Sequence, residues 1–345
     1  MIKQLGFWKI RFLQESIVQS LGRNNRSGGI MQNRKKRIQI WVLLMILCAL
    51  NVWNIQAYAS VDSRSYGPSI LANGGYLGGA RLTLLANQSS SQMLSAVLET
   101  KNGSLIVIDG GTKEDADHLS SVIKSKGGHV SAWLLTHPHS DHVGALTELL
   151  NRGEDMVIDQ VYYGLTGIEW YQEYEPYRAD MVAEFAGALG RLPAEKLHGQ
   201  VKRGDELMVD DVKIRILNSP YLFDYNAINN SSIAYQLIVD GKYLVFLGDM
   251  GIEAGTRLLS DYSHEKLECD ILQMAHHGQN GVSESFYRTL NPKICLWPTP
   301  EWLWNNDNGG GYNSGPWQTL QTRSWMDNMN VATHYCIKDG DQIIE

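Results

Sequence analysis

"LLTHPHSDHVGAL", residues 134–146, places His137, His139, Asp141 and His142 within six positions at the end of an apolar run. Titratable groups crowded beside a buried strand are costly unless something pairs them. His137 and His139 are two apart, so on an extended segment leaving a strand they point to the same side. Asp141 and His142 stand where a helix begins, just before Val143, Ala145 and Leu146. Imidazole and carboxylate are ordinary ligands of zinc and similar ions. An H-x-H pair alone is weak; H-x-H-x-D-H between a strand and a helix points to a metal.

Two later segments repeat the arrangement. "YLVFLGDM" (243–250) ends a hydrophobic strand in Gly248-Asp249, and "DILQMAHHG" (270–278) ends another in His276-His277-Gly278. Five of the ten histidines lie in these motifs and the first. Ligand-type residues that all follow strand ends can meet along one sheet edge.

The surrounding pattern gives the fold class. Short apolar runs, "RLTLLA", "MLSAVLET", "SLIVID" and "SAWLLT", recur from about residue 80, with "KNG" (101–103) as a hairpin turn between two of them. Residues 113–127 show helical spacing at Ala116, Leu119, Val122 and Ile123. An acidic, aromatic insertion follows at 167–192, helical in its second half. Strands return at "VKIRIL", "SSIAYQLIV" and "YLVFLG", then helices near 252–260, 283–290 and 316–329 alternate with "DILQMA", "KICLWP" and "ATHYCI". Strand runs followed by helices, twice over, predict an α/β fold with two sheets face to face and helices outside.

The N-terminal part reads differently. Arg34–Arg37 is wholly basic, "IQIWVLLMILCAL" (38–50) has no charge, and "QAYAS" (56–60) offers small residues at Ala57 and Ala59. That describes a secretory signal peptide, with Met31 as a natural start. The alternative is an uncleaved anchor over residues 38–55, although the apolar run is short for a span of about 20 residues. The expected division is 1–59 leader and signal peptide or anchor, 60–79 linker, and 80–345 one domain facing outside the cytoplasm. Membrane contact is expected only through the N-terminal segment, if it is uncleaved.

Residues 60–345 carry 21 basic and 36 acidic side chains, a net charge of −15. A surface so acidic repels polyanions and disfavours long duplex DNA as a partner. Cys269, Cys295 and Cys336 are scattered in or near apolar runs and form neither a disulfide framework nor a zinc knuckle.

From about residue 80 onward the sequence resembles the metallo-β-lactamase-fold hydrolases. Asp109-Gly110-Gly111 matches an aspartate-glycine turn of that family, and the H-x-H-x-D-H, G-D and H-H-G segments follow in order. "NNSSIAYQL" (229–237), "FLGDM" (246–250) and "MAHHG" (274–278) most resemble the C-terminal domain of competence-type DNA-uptake channels and their free-standing secreted relatives. The resemblance implies an αββα four-layer sandwich holding one or two Zn2+ ions, or Mn2+ in their place. It further implies His137 and His139 on one metal, Asp141 and His142 on the other, Asp249 as a bridge, and His277 as the final ligand. His276 is implied as a supporting residue behind that ligand or as its substitute, and Asp109 as a turn residue behind the site. Many members carry another histidine ahead of the G-D strand. Here "NAINNSSIA" (226–234) has none, leaving Asn229, Asn230 or Ser232 to complete the shell directly or through water.

Bound zinc brings the pKa of its water to about 7, making hydroxide available at neutral pH. The expected function is an extracytoplasmic metal-dependent hydrolase using that hydroxide, with Asp141 and Asp249 catalytic. The expected substrates are small or short-oligomer phosphodiesters, either nucleic-acid fragments or envelope diesters. The alternatives are hydrolysis of another bond class (amide, ester or lactam), or a non-catalytic wall- or glycan-binding module with a structural metal. Trp297, Trp302, Trp304, Trp317 and Trp325 surround "NNDNGGGYNSG" (305–315) and fit either ligand stacking or core packing.

Overall fold

Apolar alternation along the strands sorts side chains into layers, and the layers define the architecture. The computed structural model describes residues 75–345; the leader, the cleavage site and the anchor segment lie outside the described residues. One sheet contains β1 (Arg81–Leu84), β2 (Ser95–Glu99), β3 (Leu105–Asp109), β4 (His129–Leu134), β5 (Val157–Ile158), β6 (Val161–Tyr162) and β7 (Leu197–His198). The second contains β8 (Glu206–Val209), β9 (Val212–Ile216), β10 (Tyr235–Val239), β11 (Lys242–Phe246), β12 (Ile271–Gln273), β13 (Ile294–Trp297) and β14 (Thr333–Cys336). The last strand, β15 (Gln342–Ile344), returns to the first sheet. The orders are β15-β1-β2-β3-β4-β6-β7, with β5 also on β4, and β14-β13-β12-β11-β10-β9-β8.

In β3, Ile106 and Ile108 face the second sheet, whereas Leu105 and Val107 face helices. In β11, Leu244 and Phe246 face the first sheet and Val245 faces out. This period of two follows from the pleat. The inner layer joins Leu82, Leu98 and Leu134 of one sheet to Ile214, Tyr235 and Leu237 of the other.

Each sheet therefore has a second apolar face, and helices cover it. Outside the first sheet lie α1 (Ala116–Ser125), α2 (Ser140–Asn151) and, beyond α3 (Ile168–Tyr174), α4 (Ala179–Leu189). The short α5 (Ala227–Asn230) precedes β10. Outside the second sheet lie α6 (Ile252–Asp261), α7 (Glu284–Leu290), α8 (Glu301–Trp304) and α9 (Thr319–Asn328). The result is the expected αββα sandwich. Among the described residues no helix is long and apolar enough to cross a membrane.

Residues 75–79, expected within the linker, are packed: Tyr76 N bonds to Glu345 O, and Leu77 is buried in the inter-sheet core. The three cysteines are free and buried, and burial pushes the Cys336 thiol up to about 12. Strand pairs β3–β4, β11–β12 and β12–β13 are parallel. Asp109 is the last residue of β3, and the ends of β4, β11 and β12 lead into the 137–142 motif, Asp249 and the histidine pair.

Candidate metal centre

β4 runs out at Leu134, and the chain then crosses an extended segment to His139, which caps α2 with non-helical φ/ψ of −78° and 149°. Asp141 falls in the first turn of that helix, where the exposed N–H dipoles favour a negative charge. One donor set contains Asp141, His142, Asp249 and His277; a second contains His137, His139 and Asp249. Within each set the ligand atoms lie within 4.8 Å of one another. Asp249 belongs to both.

Each histidine is oriented from behind. Asp109 is fully buried, with φ at 53°; it accepts from Thr136 N and Thr136 Oγ1 at 2.7 Å each, and from His142 Nδ1 at 2.7 Å. Thr136 Oγ1, having donated to Asp109, accepts from His137 Nδ1 at 3.1 Å. His277 Nδ1 donates to Pro298 O at 3.0 Å. His139 Nε2 points to Glu175 Oε2 at 3.4 Å. The opposite nitrogens are left facing inward, with His137 Nε2 and His139 Nδ1 3.1 Å apart. Orienting partners of this kind fix the tautomer that a metal needs.

The inward atoms test whether a metal fits. His142 Nε2, His277 Nε2 and Asp249 Oδ1 are buried and have no hydrogen-bond partner. His142 Nε2 and Asp249 Oδ1 are 3.2 Å apart without the alignment of a hydrogen bond. His277 Nε2 lies 3.3 Å from Asp141 Oδ2 and 3.3 Å from Asp249 Oδ2. Leaving such groups unpaired costs about 1–3 kcal/mol each, more when charged. A cation shared among them removes that cost, and imidazole and carboxylate are the donors that zinc or manganese takes.

Electrostatics agree. Against burial, the Asp249 and Asp109 carboxylates hold His142 well above its ordinary pKa, and Asp249 with Asp141 lifts His277 to about 9. Burial and His142 push His137 well below its ordinary value. Against burial again, His277 and His142 draw Asp141 and Asp249 down. The carboxylates thus draw positive charge toward His142 and His277.

Local backbone explains the motifs. Gly248 has φ +57°, and a Cβ there would lie 2.6 Å from Thr136 Cβ, so the G-D turn sits directly against the first motif. His276 and His277 are consecutive left-handed residues, with φ of 51° and 54°. Non-glycine residues held this way cluster at functional sites.

The remaining candidates fall in different places. His276 lines the cavity in front of the clusters, with Nε2 3.8 Å from Asp249 Oδ2. Ser232 Oγ accepts from Asp249 N at 3.1 Å and so holds that residue's backbone. The Asn230 amide is occupied: its oxygen accepts from Gly251 N and Ala254 N, and its nitrogen donates to Tyr225 O and Glu253 Oε2. Asn229 lines the cavity, and its buried Oδ1 has no partner. His198 is in neither donor set; its ring stacks on Tyr162. None of the five C-terminal tryptophans lines the cavity, and Trp297 packs edge-on against Trp304 in the outer core.

Two contributors escaped sequence reasoning. Glu175, from the insertion, joins His139 to Ile228 N, the latter at 2.8 Å. Gln92 donates to Asp141 Oδ2 at 3.3 Å and accepts from Gln279 Nε2 at 2.7 Å. Neither sits at a strand end or in a ligand-type pattern.

The family described as "Metallo-beta-lactamase superfamily" matches residues 92–297. Among solved structures, the metallo-β-lactamase fold protein YhfI from Bacillus subtilis is 11% identical, with 77% of this chain and 99% of that chain covered and a TM-score of 0.48. A mutant of the CmlA β-hydroxylase is 12% identical, covering 81% and 55%, with a TM-score of 0.48. The short form of human tRNase Z is 17% identical, covering 62% and 91%, with a TM-score of 0.36. No curated protein matches the chain.

Proposed function

The chain belongs to the metallo-β-lactamase superfamily of metal-dependent hydrolases, and from that premise we propose that it is an extracytoplasmic phosphodiesterase. The observation that carries the reading is the sharing of Asp249 between two adjacent donor sets. Two such centres side by side suit a tetrahedral phosphodiester, whose non-bridging and leaving oxygens both need stabilisation.

His137, His139 and Asp249 would hold one ion, and Asp141, His142, Asp249 and His277 the other. When bound, zinc or manganese supplies Lewis acidity and a water acidic enough to react near neutrality. The chain's own residues then orient and enclose. Asp109 and the Pro298 carbonyl fix the tautomers of His142 and His277. Gln92 and Gln279 brace Asp141. Glu175 braces His139. The cavity in front, about 450 Å³, admits a small substrate.

Location outside the cytoplasm rests on the basic, apolar and A-x-A segments of residues 34–60. The nearer likeness to competence-type proteins rests on the wording of "NNSSIAYQL", "FLGDM" and "MAHHG". The net charge of −15 on residues 60–345 supports short or small diesters over long duplex DNA.

The test is hydrolysis of bis(p-nitrophenyl) phosphate by the full chain with zinc or manganese, beside Asp141→Asn. Turnover that requires metal and is lost in the variant is the expected result. A metal-loaded protein that hydrolyses no diester would refute the reading.

A further inference from the structure

The cavity over the clusters has walls that neither the donor sets nor the core requires. Tyr174 ends α3, Tyr177 and Arg178 come from the segment joining α3 to α4, and Asp224 and Tyr225 come from the loop before α5. Tyr177 is 76% exposed and Tyr225 71%. Among the described residues these are the two most exposed tyrosines, and both line this one cavity. An aromatic ring left in water forgoes the burial that usually holds it. Two such rings, from separate segments beside a reaction centre, offer flat faces to a ligand.

Arg178 adds charge. Among the described residues it is the only lysine or arginine lining the cavity, and no carboxylate there forms an ion pair with it. Its guanidinium sits 5.4 Å from the centre of the Tyr177 ring. An unpaired arginine in so acidic a chain is a ready partner for a phosphate oxygen. It also opposes a cationic head group, which tyrosines and Asp224 would otherwise suit.

We propose that Tyr177, Arg178 and Tyr225 are specificity-determining residues that select a phosphodiester carrying a planar base: a short nucleotide diester. The rings stack on the base while Arg178 pairs with a phosphate oxygen. This deepens the phosphodiesterase reading and rests on it.

The test compares kcat/KM for a dinucleoside monophosphate, glycerophosphoglycerol and glycerophosphocholine, using the metal-loaded full chain. Calorimetry of thymidine 5′-monophosphate binding runs alongside. Stacking on one ring is worth about tenfold. The dinucleoside should therefore lead, and Tyr177→Ala and Tyr225→Ala should each cut its advantage over glycerophosphoglycerol about tenfold, mostly through KM. Tyr177→Phe should restore the advantage, and Arg178→Gln should weaken nucleotide binding and its salt dependence. Both rings are exposed, so neither replacement removes core. Equal rates on the ringless diester, a preference for glycerophosphocholine, or nucleotide binding unchanged in the variants would overturn the proposal. Nucleotide binding that depends on the rings, in a protein that cleaves no diester, would support these walls and count against the hydrolase reading alone.

Discussion

Asp109 Oδ2 accepts from His142 Nδ1 at 2.7 Å, and the other nitrogen of that ring faces Asp249 Oδ1 at 3.2 Å. A residue that is in neither donor set thus decides which His142 nitrogen is available to a metal. Asp109→Asn keeps the volume but presents an amide N–H or a weaker acceptor to Nδ1. The variant should fold and lose about 10- to 100-fold in metal affinity, measured by competition with a chelator. Unchanged affinity would mean that the ring is held by something else.

Gly248 links two motifs through backbone shape. Alanine there must adopt φ +57° and push its Cβ to 2.6 Å from Thr136 Cβ. Gly248→Ala should destabilise the protein by about 1–3 kcal/mol, read from urea unfolding, and shift Asp249 out of register with the histidines. A variant as stable as the parent would show that the turn can relax.

Glu154 provides a pH signature distant from the cluster. Lys124 and Ser120 bond its carboxylate, the latter at 2.8 Å, and Arg152 Nε bonds it at 2.6 Å; together they hold its pKa down at about 2. A carboxyl lowered on folding stabilises above its unfolded value, near 4.5, and that contribution disappears as pH falls to about 2. Glu154→Gln should therefore be less stable than the parent at pH 7. The gap should begin to close below about 4.5 and vanish near 2, followed by thermal unfolding across pH. A gap independent of pH would contradict the assignment.

Much of this was legible from the sequence because the deciding residues sit where patterns end. β3, β4, β11, β12 and β13 are apolar runs that stand out individually, and motif residues end the first of them and closely follow the next three. The layers follow from alternation in strands such as "LIVID". The missing parts have physical reasons. β5, β6 and β7 are two residues long, too short for alternation to register. β15 is specified by pairing with β1 at the far end of the chain, which no local pattern encodes. Glu175 and Gln92 reach His139 and Asp141 across 36 and 49 residues of sequence. Only tertiary packing shows them to be part of the site.

The shared aspartate is the centre of the account, and counting metal ions tests it most directly. Full chain loaded with zinc, dialysed and analysed for bound metal should hold up to two ions. His139→Ala interrupts only the three-residue set and should lose one, whereas Asp249→Ala interrupts both and should lose nearly all. Metal content in Asp249→Ala equal to that of the parent, or a folded parent that binds no metal, would contradict the account.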